Sequence, residues 1–403
     1  MKYMNNTENR INELIAYAKE ILQGERGADL YVKYQEILKQ VNPTDVIIVV
    51  DELVKTDEDM SDIKRAVNKI LNIFYESVKK YGKAIPEEGS FLYYLMAENG
   101  EMEKRMKALK TEIKAVFSQK DKMGELQKRK EIIKSKLIEL QEYDLHNVKK
   151  ENILFSYFEK LYPDHLCVNV MWSMHDDART SLKKLIANLE REQPFISDFN
   201  QEIGKLYFAV LPVIFREEYI LYPICQKVID QKIWDEMLEQ GREIGFAFVS
   251  GPEAFDKDKN KAVVKETISD SLIDLDTGKL KIEQIINLFN HLPVDITYVD
   301  ENDEVRYFSN PKNRHFTRSK AIIGRKVQNC HPHESIDVVN KIVESFRSGE
   351  KGSESFWIQI KGRLILIQYF AVRDENGNYR GVAEVSQDVT DIRKLEGEKR
   401  LLD

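Results

Sequence analysis

Three histidines, His146, His165 and His175, share the long middle of the chain with the carboxylates Glu98, Glu151, Asp176, Asp177, Glu217 and Glu218. Imidazole nitrogens and carboxylate oxygens that converge inside a helical bundle are the donor set of diiron and other carboxylate-bridged metal centres. A second group of metal-capable side chains is concentrated in Cys330-His331-Pro332-His333, where either imidazole could be an axial haem ligand and the thiol could meet an oxidant. Each group has a plainer reading. Paired acids such as Glu217-Glu218 are ordinary on a solvated helix face, His165 beside Pro163-Asp164 suits a surface connection, and Cys-His-Pro suits a structural turn. No GxSxG, HExxH, GxGxxG or GxxxxGK[ST] run occurs, and no cysteine or serine has an evident base, so the chain is not expected to be an enzyme.

The donors must be carried by helices. Four long amphipathic segments fall near 90–118, 125–161, 168–192 and 196–229, separated by short breaks at Gly124, Pro163 and Pro194. In the first, Met102, Met106, Leu109, Ile113 and Val116 recur in steps of four and three, the stripe of a packed helix. Long helices with short loops are antiparallel neighbours, which predicts an up-down four-helix bundle over 88–248, finished by a segment around Trp234–Phe248. Residues 8–82 repeat the helical period with breaks at Asn42-Pro43-Thr44 and Thr56-Asp57, and predict a small all-α domain.

Residues 249–278 are polar and charged and read as a linker. Beyond them the period changes to two. DITYVDENDEVRYFS holds two short strands and WIQIKGRLILIQYFAVRDENGNYRGVAEVSQDV three more, turning at Asn302-Asp303, Lys361-Gly362 and Asn376-Gly377. A helical stretch between them carries Val338, Val339, Ile342, Val343 and Phe346 on one face. The pattern predicts an α+β domain over 279–393 with an antiparallel sheet, then an exit helix at 394–403.

Composition narrows the function classes. Among 403 residues, 61 basic against 68 acidic side chains leave a net charge of −7, so no basic field favours nucleic acid. The three cysteines form no CxxC pair, and the longest apolar run, Tyr207–Phe215, is interrupted by Pro212 and too short to span a bilayer. With no signal-peptide pattern at the N-terminus, a reducing cytoplasm is expected.

The stretch LHNVKKENILFSYFEKLYPDHLCVNVMWSMHDDARTSLKKL, followed by VIFREEYILYPICQKVIDQKIWDEM, resembles a hemerythrin-like HHE cation-binding domain. LPVDITYVDENDEVRYFS, with the Cys-His-Pro run and YFAVRDENGNYRGVAEVSQDVTDIRKLEGEKRLLD, is similar to a PAS domain. Together they resemble the bacterial family headed by the domain of unknown function 438, which the N-terminal helices would supply. The resemblance implies a histidine on each ligand helix, with a carboxylate four residues on in two of them. Here Tyr93 stands near the first position, His146 is followed by Lys150 with Glu151 about 100° round the helix, His175 stands where a ligand would, and Glu217 has Val213 four residues before it. These donors are too few for a five-histidine diiron centre. They leave either a mononuclear iron or zinc site of His146, His175 and Glu217, completed by Tyr93 or water, or a metal-free bundle in which the same groups are satisfied by protein. Lys150 decides between them, because an inward ammonium repels a cation.

A PAS domain implies an enclosed cavity for haem, flavin or a small metabolite, with Tyr298, Phe308, Ile342, Phe346, Trp357 and Tyr369 as its wall and Cys330, His331 and His333 as possible ligands. Asp388, Thr390 and Asp391 match the strand-to-helix exit of such domains. Because the chain stops at Asp403, output is expected through homodimerisation or a separate signalling protein. The reading that follows is a cytoplasmic sensory or regulatory protein with a degenerate hemerythrin-like bundle and an unidentified small-molecule ligand. The alternatives are a non-haem iron protein handling oxygen, nitric oxide or iron, and a haem-binding PAS sensor.

Overall fold

The computed structural model describes residues 2–163, 165–252, 272–312, 314–360 and 362–398. The chain divides into two compact units at Pro252. The first is all-helical and the second is built on a sheet.

The first unit opens with α1 (Lys2–Leu22), α2 (Gly27–Leu38), α3 (Pro43–Val54) and α4 (Met60–Lys79). Helix α3 starts where it does because Asn42 Oδ1 accepts from Thr44 N and Asp45 N at 2.9 and 3.1 Å, while Asp45 returns an acceptor to Asn42 N at 3.0 Å. Pro43 supplies a first-turn residue with φ already set. Helix α4 buries Ile63, Val67, Ile70, Leu71, Phe74 and Val78 along one face, as an amphipathic helix must.

Four rods follow. They are α5 (Phe91–Phe117), then α6 (Lys122–Leu140), α7 (Asp144–Lys149) and α8 (Phe155–Leu161) in one line, α9 (Cys167–Glu190), and α10 (Ile196–Arg216) continued by α11 (Tyr222–Val228). Helix α12 (Gln231–Ile244) closes the unit against α5 and α7. The bundle is the expected up-down arrangement.

Its interior is not one continuous apolar core. One cluster joins Leu14, Tyr17, Leu53 and Phe74 of the N-terminal helices to Leu95, Phe155, Met171 and Leu221 of the rods. A second fills the other half with Met102, Met106, Leu137, Leu185, Phe199 and Leu206. The expected small domain at 8–82 and this end of the bundle therefore share a core. A link from α3 reinforces it: Asp51 accepts Leu166 N and Cys167 N at 2.8 and 2.7 Å and pairs with His165, capping α9 from another element.

The second unit begins, within the described residues, with the hairpin β1 (Leu272–Asp274) and β2 (Lys279–Lys281), in the last part of the span read as a linker, whose residues 253–271 lie outside the described residues. Helix α13 (Ile282–His291) leads into β3 (Asp295–Asp300) and β4 (Val305–Phe308). Helix α14 (His333–Ser348) separates these from β5 (Ser353–Ile360), β6 (Arg363–Arg373) and β7 (Tyr379–Asp388). The sheet is antiparallel in the order β4-β3-β7-β6-β5, so the first and last strands pair at its centre. Gly381 is required at that seam: its φ is 129°, and a Cβ there would come within 2.0 Å of Val299 O. Phe346 of α14 packs with Val299, Val305, Ile322 and Val382, with Ile342 against the same cluster. Of the expected exit helix, Lys394 ends a short 3₁₀ turn, 395–398 are not helical, and 399–403 lie outside the described residues. Among the described residues, no helix is long and apolar enough to cross a membrane.

Asp51→Ala strands two backbone donors at the start of α9 and is expected to lower the unfolding free energy of the first unit by about 2 kcal/mol. Urea unfolding followed by far-ultraviolet circular dichroism checks this.

Candidate functional site

Between the two apolar clusters lies a polar layer one helical turn thick. Each rod contributes where its stripe would otherwise continue: Glu98 and Asn99 between Leu95 and Met102, His146 to Glu151 between Tyr143 and Ile153, His175 between Met174 and Ala178, and Arg216 to Glu218 between Ile214 and Ile220. Glu98, His146, Lys149, Lys150 and Glu217 are 0% exposed.

Two π-helical turns build this layer, at Lys150–Leu154 and Glu217–Leu221. In each the N–H after the turn reaches back five residues, Phe155 to Lys150 O and Tyr222 to Glu217 O. Pro223 explains the second, because it has no N–H for Tyr219 O and its ring would strike that carbonyl in a regular helix. A widened turn brings consecutive residues inward together, so Lys149, Lys150 and Glu151 are all buried and Glu151 is not turned away as a regular helix predicts.

Lys150 points to the centre. Its ammonium pairs with Glu217 Oε1 and lies 3.0 Å from His175 Nε2. His175 Nδ1 is 2.7 Å from Glu151 Oε1, so this nitrogen carries the proton and donates, leaving the Nε2 lone pair to accept from Lys150. His146 lies between two carboxylates, Nδ1 at 2.7 Å from Glu98 Oε2 and Nε2 at 3.2 Å from Glu217 Oε2, so both of its nitrogens face acceptors. Glu217 also accepts from Asn99 Nδ2 at 2.9 Å and Tyr222 OH at 3.0 Å, and Tyr143 OH fixes Asn99 from behind at 2.5 Å. On one flank Lys149 donates to Glu98 at 2.7 Å and to Gly245 O at 2.6 Å, and Ala247 N donates to the same Glu98 oxygen. On the other flank Arg179 clasps both oxygens of Glu151 at 2.9 Å.

Each of these carboxylates meets a cation, Glu98 with Lys149, Glu217 with Lys150 and Glu151 with Arg179, while His146 lies between Glu98 and Glu217 and Arg179 also holds Asp144 and Asp176. Burial works to raise the Glu217 carboxyl, but Lys150 and His146 overcome it and hold the group well below the usual carboxylate range. Burial lowers the Lys150 ammonium, with Glu217 pulling the other way. Burial, then Lys150 and Arg179, push His175 well below the ordinary histidine value, in agreement with an imidazole that accepts at Nε2.

Residues 90–225 match the family model described as Hemerythrin HHE cation binding domain, and residues 285–390 match the model described as PAS domain. The chain carries a hemerythrin-type bundle followed by a PAS domain. No curated protein matches the chain. Among solved structures, a C-terminal domain from Streptococcus mutans is 32% identical, over 31% of this chain and 98% of that one, with a TM-score of 0.30. The PAS domain of a Colwellia psychrerythraea protein is 18% identical, over 27% of this chain and 97% of that one, with a TM-score of 0.23. A sensory box sensor histidine kinase from Vibrio cholerae is 16% identical, over 27% and 90%, with a TM-score of 0.21. The N-terminal helices match neither family model.

The bundle's family implies a bound metal, and the residues present do not fit one. Among the described residues no three His, Cys, Asp or Glu side chains are arranged to hold an ion. His146, His175 and Glu217 do meet in one layer, but the Lys150 ammonium stands between His175 and Glu217, and His146 Nε2 turns to the other Glu217 oxygen. A divalent ion about 3 Å from that charge would be repelled by on the order of 10 kcal/mol at an effective dielectric of about 20. Tyr93 is 37% exposed and does not reach the layer.

The PAS unit has its own polar interior. Thr297, Glu384 and Tyr369 lie in one row across β3, β7 and β6 on the inward face, with Ser386 and Asp295 one step along. Arg318 faces them, its Nη2 3.6 Å from Glu384 Oε2 and its Nε buried without an acceptor. Arg314 sits over the Phe308 ring at 5.0 Å, and His331 and Arg325 complete the group of charges acting on one another. Of the sequence-derived cofactor set, Phe308, Cys330 and Tyr369 pack on this core beside Phe346 and Ile342. Tyr298 and Trp357 lie on the outer sheet face, the latter 69% exposed, and Tyr298 OH donates to Arg380 O at 2.6 Å. His333 opens α14, and its side chain lies outside the described residues.

Removing one partner of the central pair leaves a buried charge, so Glu217→Ala is expected to cost about 3–5 kcal/mol, while Lys150→Met/Glu217→Leu recovers most of the loss. Urea titration of the full chain measures both. Burial lowers His331 from 6.5 to about 4, so the unfolded chain takes the proton first as pH falls. Thermal stability of the PAS unit should therefore drop from about pH 6.5 down to about pH 4, and His331→Gln should remove that part of the slope.

Proposed function

We propose that this is a cytoplasmic sensory or regulatory protein in which the PAS domain takes a small organic carboxylate in its interior and the bundle serves as a metal-independent scaffold. The observation that carries the ligand class is Arg318 set against Glu384. Charge-assisted pairs close to about 2.7–2.9 Å when nothing intervenes, whereas this one stands at 3.6 Å with the guanidinium Nε unpartnered. A buried polar group without a partner is costly. A carboxylate matches the planar fork of a guanidinium, and the Tyr369 hydroxyl and His331 ring lie within the same charged group to take further polar atoms. Occupation would tighten the sheet against α14, favouring one packing of the domain over another, and a separate protein or a second copy would read the change.

The outward placement of Tyr298 and Trp357 takes two of the six residues assigned from sequence away from the wall of a haem pocket. The test is differential scanning fluorimetry of the full chain with acetate, pyruvate, L-alanine and, as a neutral control, acetamide. At least one carboxylate is expected to raise the melting temperature of the PAS transition by several degrees, acetamide is not, and Arg318→Ala is expected to abolish the response. A histidine-ligated Soret band on adding hemin, with no carboxylate response, would replace this reading by a haem sensor.

A further inference from the structure

The polar layer braces its imidazoles as a metal site does, although its donors are not arranged around an ion. In metal centres a ligating imidazole donates its far N–H to a carboxylate, which fixes the tautomer and aims the other nitrogen at the ion. Both histidines here are held in that way, His146 by Glu98 and His175 by Glu151, each at 2.7 Å from Nδ1. His175 Nε2 and Glu217 Oε1 both meet the Lys150 ammonium, and His146 Nε2 faces the other oxygen of the same Glu217 carboxylate. Glu217 is also braced, by Asn99 and Tyr222 at 2.9 and 3.0 Å. An ordinary buried lysine–glutamate pair requires no imidazole acceptor backed by a second carboxylate.

We propose that Lys150 is a tethered substitute for a metal ion. It supplies from within the chain the positive charge that organises His146, His175 and Glu217, and it closes the centre to metal. Removing the amine frees His175 Nε2 and Glu217 Oε1, with His146 Nε2 across the same carboxylate, and small shifts of these three groups would make a donor set for one first-row divalent ion. The charge balance agrees, since without Lys150 the Glu217 carboxylate loses its ammonium partner and keeps only His146 among the basic groups paired with it, while Lys149 and Arg179 stay with Glu98 and Glu151. The inference rests on the metal-independent reading of the bundle and goes beyond it, because it specifies what excludes the metal and what would readmit it.

The experiment uses the full chain, stripped with chelator and titrated with Zn²⁺ by calorimetry and with Co²⁺ by visible absorption. Wild type is expected to bind less than about a tenth of an equivalent at the bundle. Lys150→Ala and the bulkier Lys150→Met should gain at least a hundredfold in affinity and reach one equivalent. Co²⁺ should develop visible ligand-field bands, and the melting temperature of the helical unit should rise with metal in these variants alone. Adding His175→Ala or Glu217→Gln to Lys150→Ala should abolish the gain. If Lys150→Ala folds only when Zn²⁺ is present, that supports the proposal equally. Folded Lys150→Ala and Lys150→Met that take up no metal would overturn it while leaving the metal-independent scaffold intact. Failure of Lys150→Ala to fold with or without Zn²⁺, together with a folded Lys150→Met blind to metal, would overturn it as well. One equivalent of metal in wild type, lost on His175→Ala, would overturn both.

Discussion

The pairing of Lys150 with Glu217 is the constraint on which the helical unit depends. Two charges taken fully out of water are tolerated only if each is paired and its remaining hydrogen-bonding capacity is filled. That requirement reaches into every rod of the bundle. Asn99 and Tyr222 must complete Glu217, His175 must accept from Lys150, and Glu151 and Arg179 must orient His175 in turn. Because apolar packing is non-directional and these bonds are directional, the layer fixes the axial register of four helices that Leu and Met stripes alone would leave free to slide. It divides the interior into two apolar clusters and locks them together.

The same layer joins the bundle to its surroundings. Glu98 accepts from Lys149 and from Ala247 N, and Lys149 also holds Gly245 O, so the segment after α12 is fastened to the charged centre. Arg216, next in sequence to Glu217, donates to Asn68 of α4 at 2.6 Å and so ties the N-terminal helices to the same turn. The PAS unit differs: its charged interior is loosely paired at Arg318 and Glu384, the condition of a site that gains order from what enters it. One unit has its central cation built in, and the other has groups waiting for a partner.

Much of the architecture was legible in the residues. The change of hydrophobic period from about four to two marks where helices give way to strands, and Asn376-Gly377 and Asn302-Asp303 fall at turns where Gly377 and Asp303 take positive φ. The His146 and His175 positions, Glu217 and the question posed by Lys150 followed from the resemblance to a hemerythrin-like domain, matched position by position. Glu98 and Asn99 could in principle be read from spacing, since they interrupt an apolar stripe between Leu95 and Met102. Glu151 could not, because regular helix geometry turns it away and the π turn that brings it back has no signature on its own rod. In the PAS domain the aromatic residues were visible, but Arg318 and Glu384 were not, since nothing local tells a charged strand residue on the inner face from one on the outer.

Sequence by itself determined the types and order of the long helices and of the five sheet strands, because propensity and periodicity are properties of neighbouring residues, but not the β1–β2 hairpin or the non-helical 395–398. Only the tertiary structure decided where Lys150 points, which carboxylate each histidine holds, and which sheet face meets Arg318. Those outcomes depend on pairing and desolvation between groups far apart in the chain, Asn99 with Glu217 and Arg318 with Glu384 among them. A buried charge takes whatever position lets it find its partner, and that partner is not its neighbour in sequence.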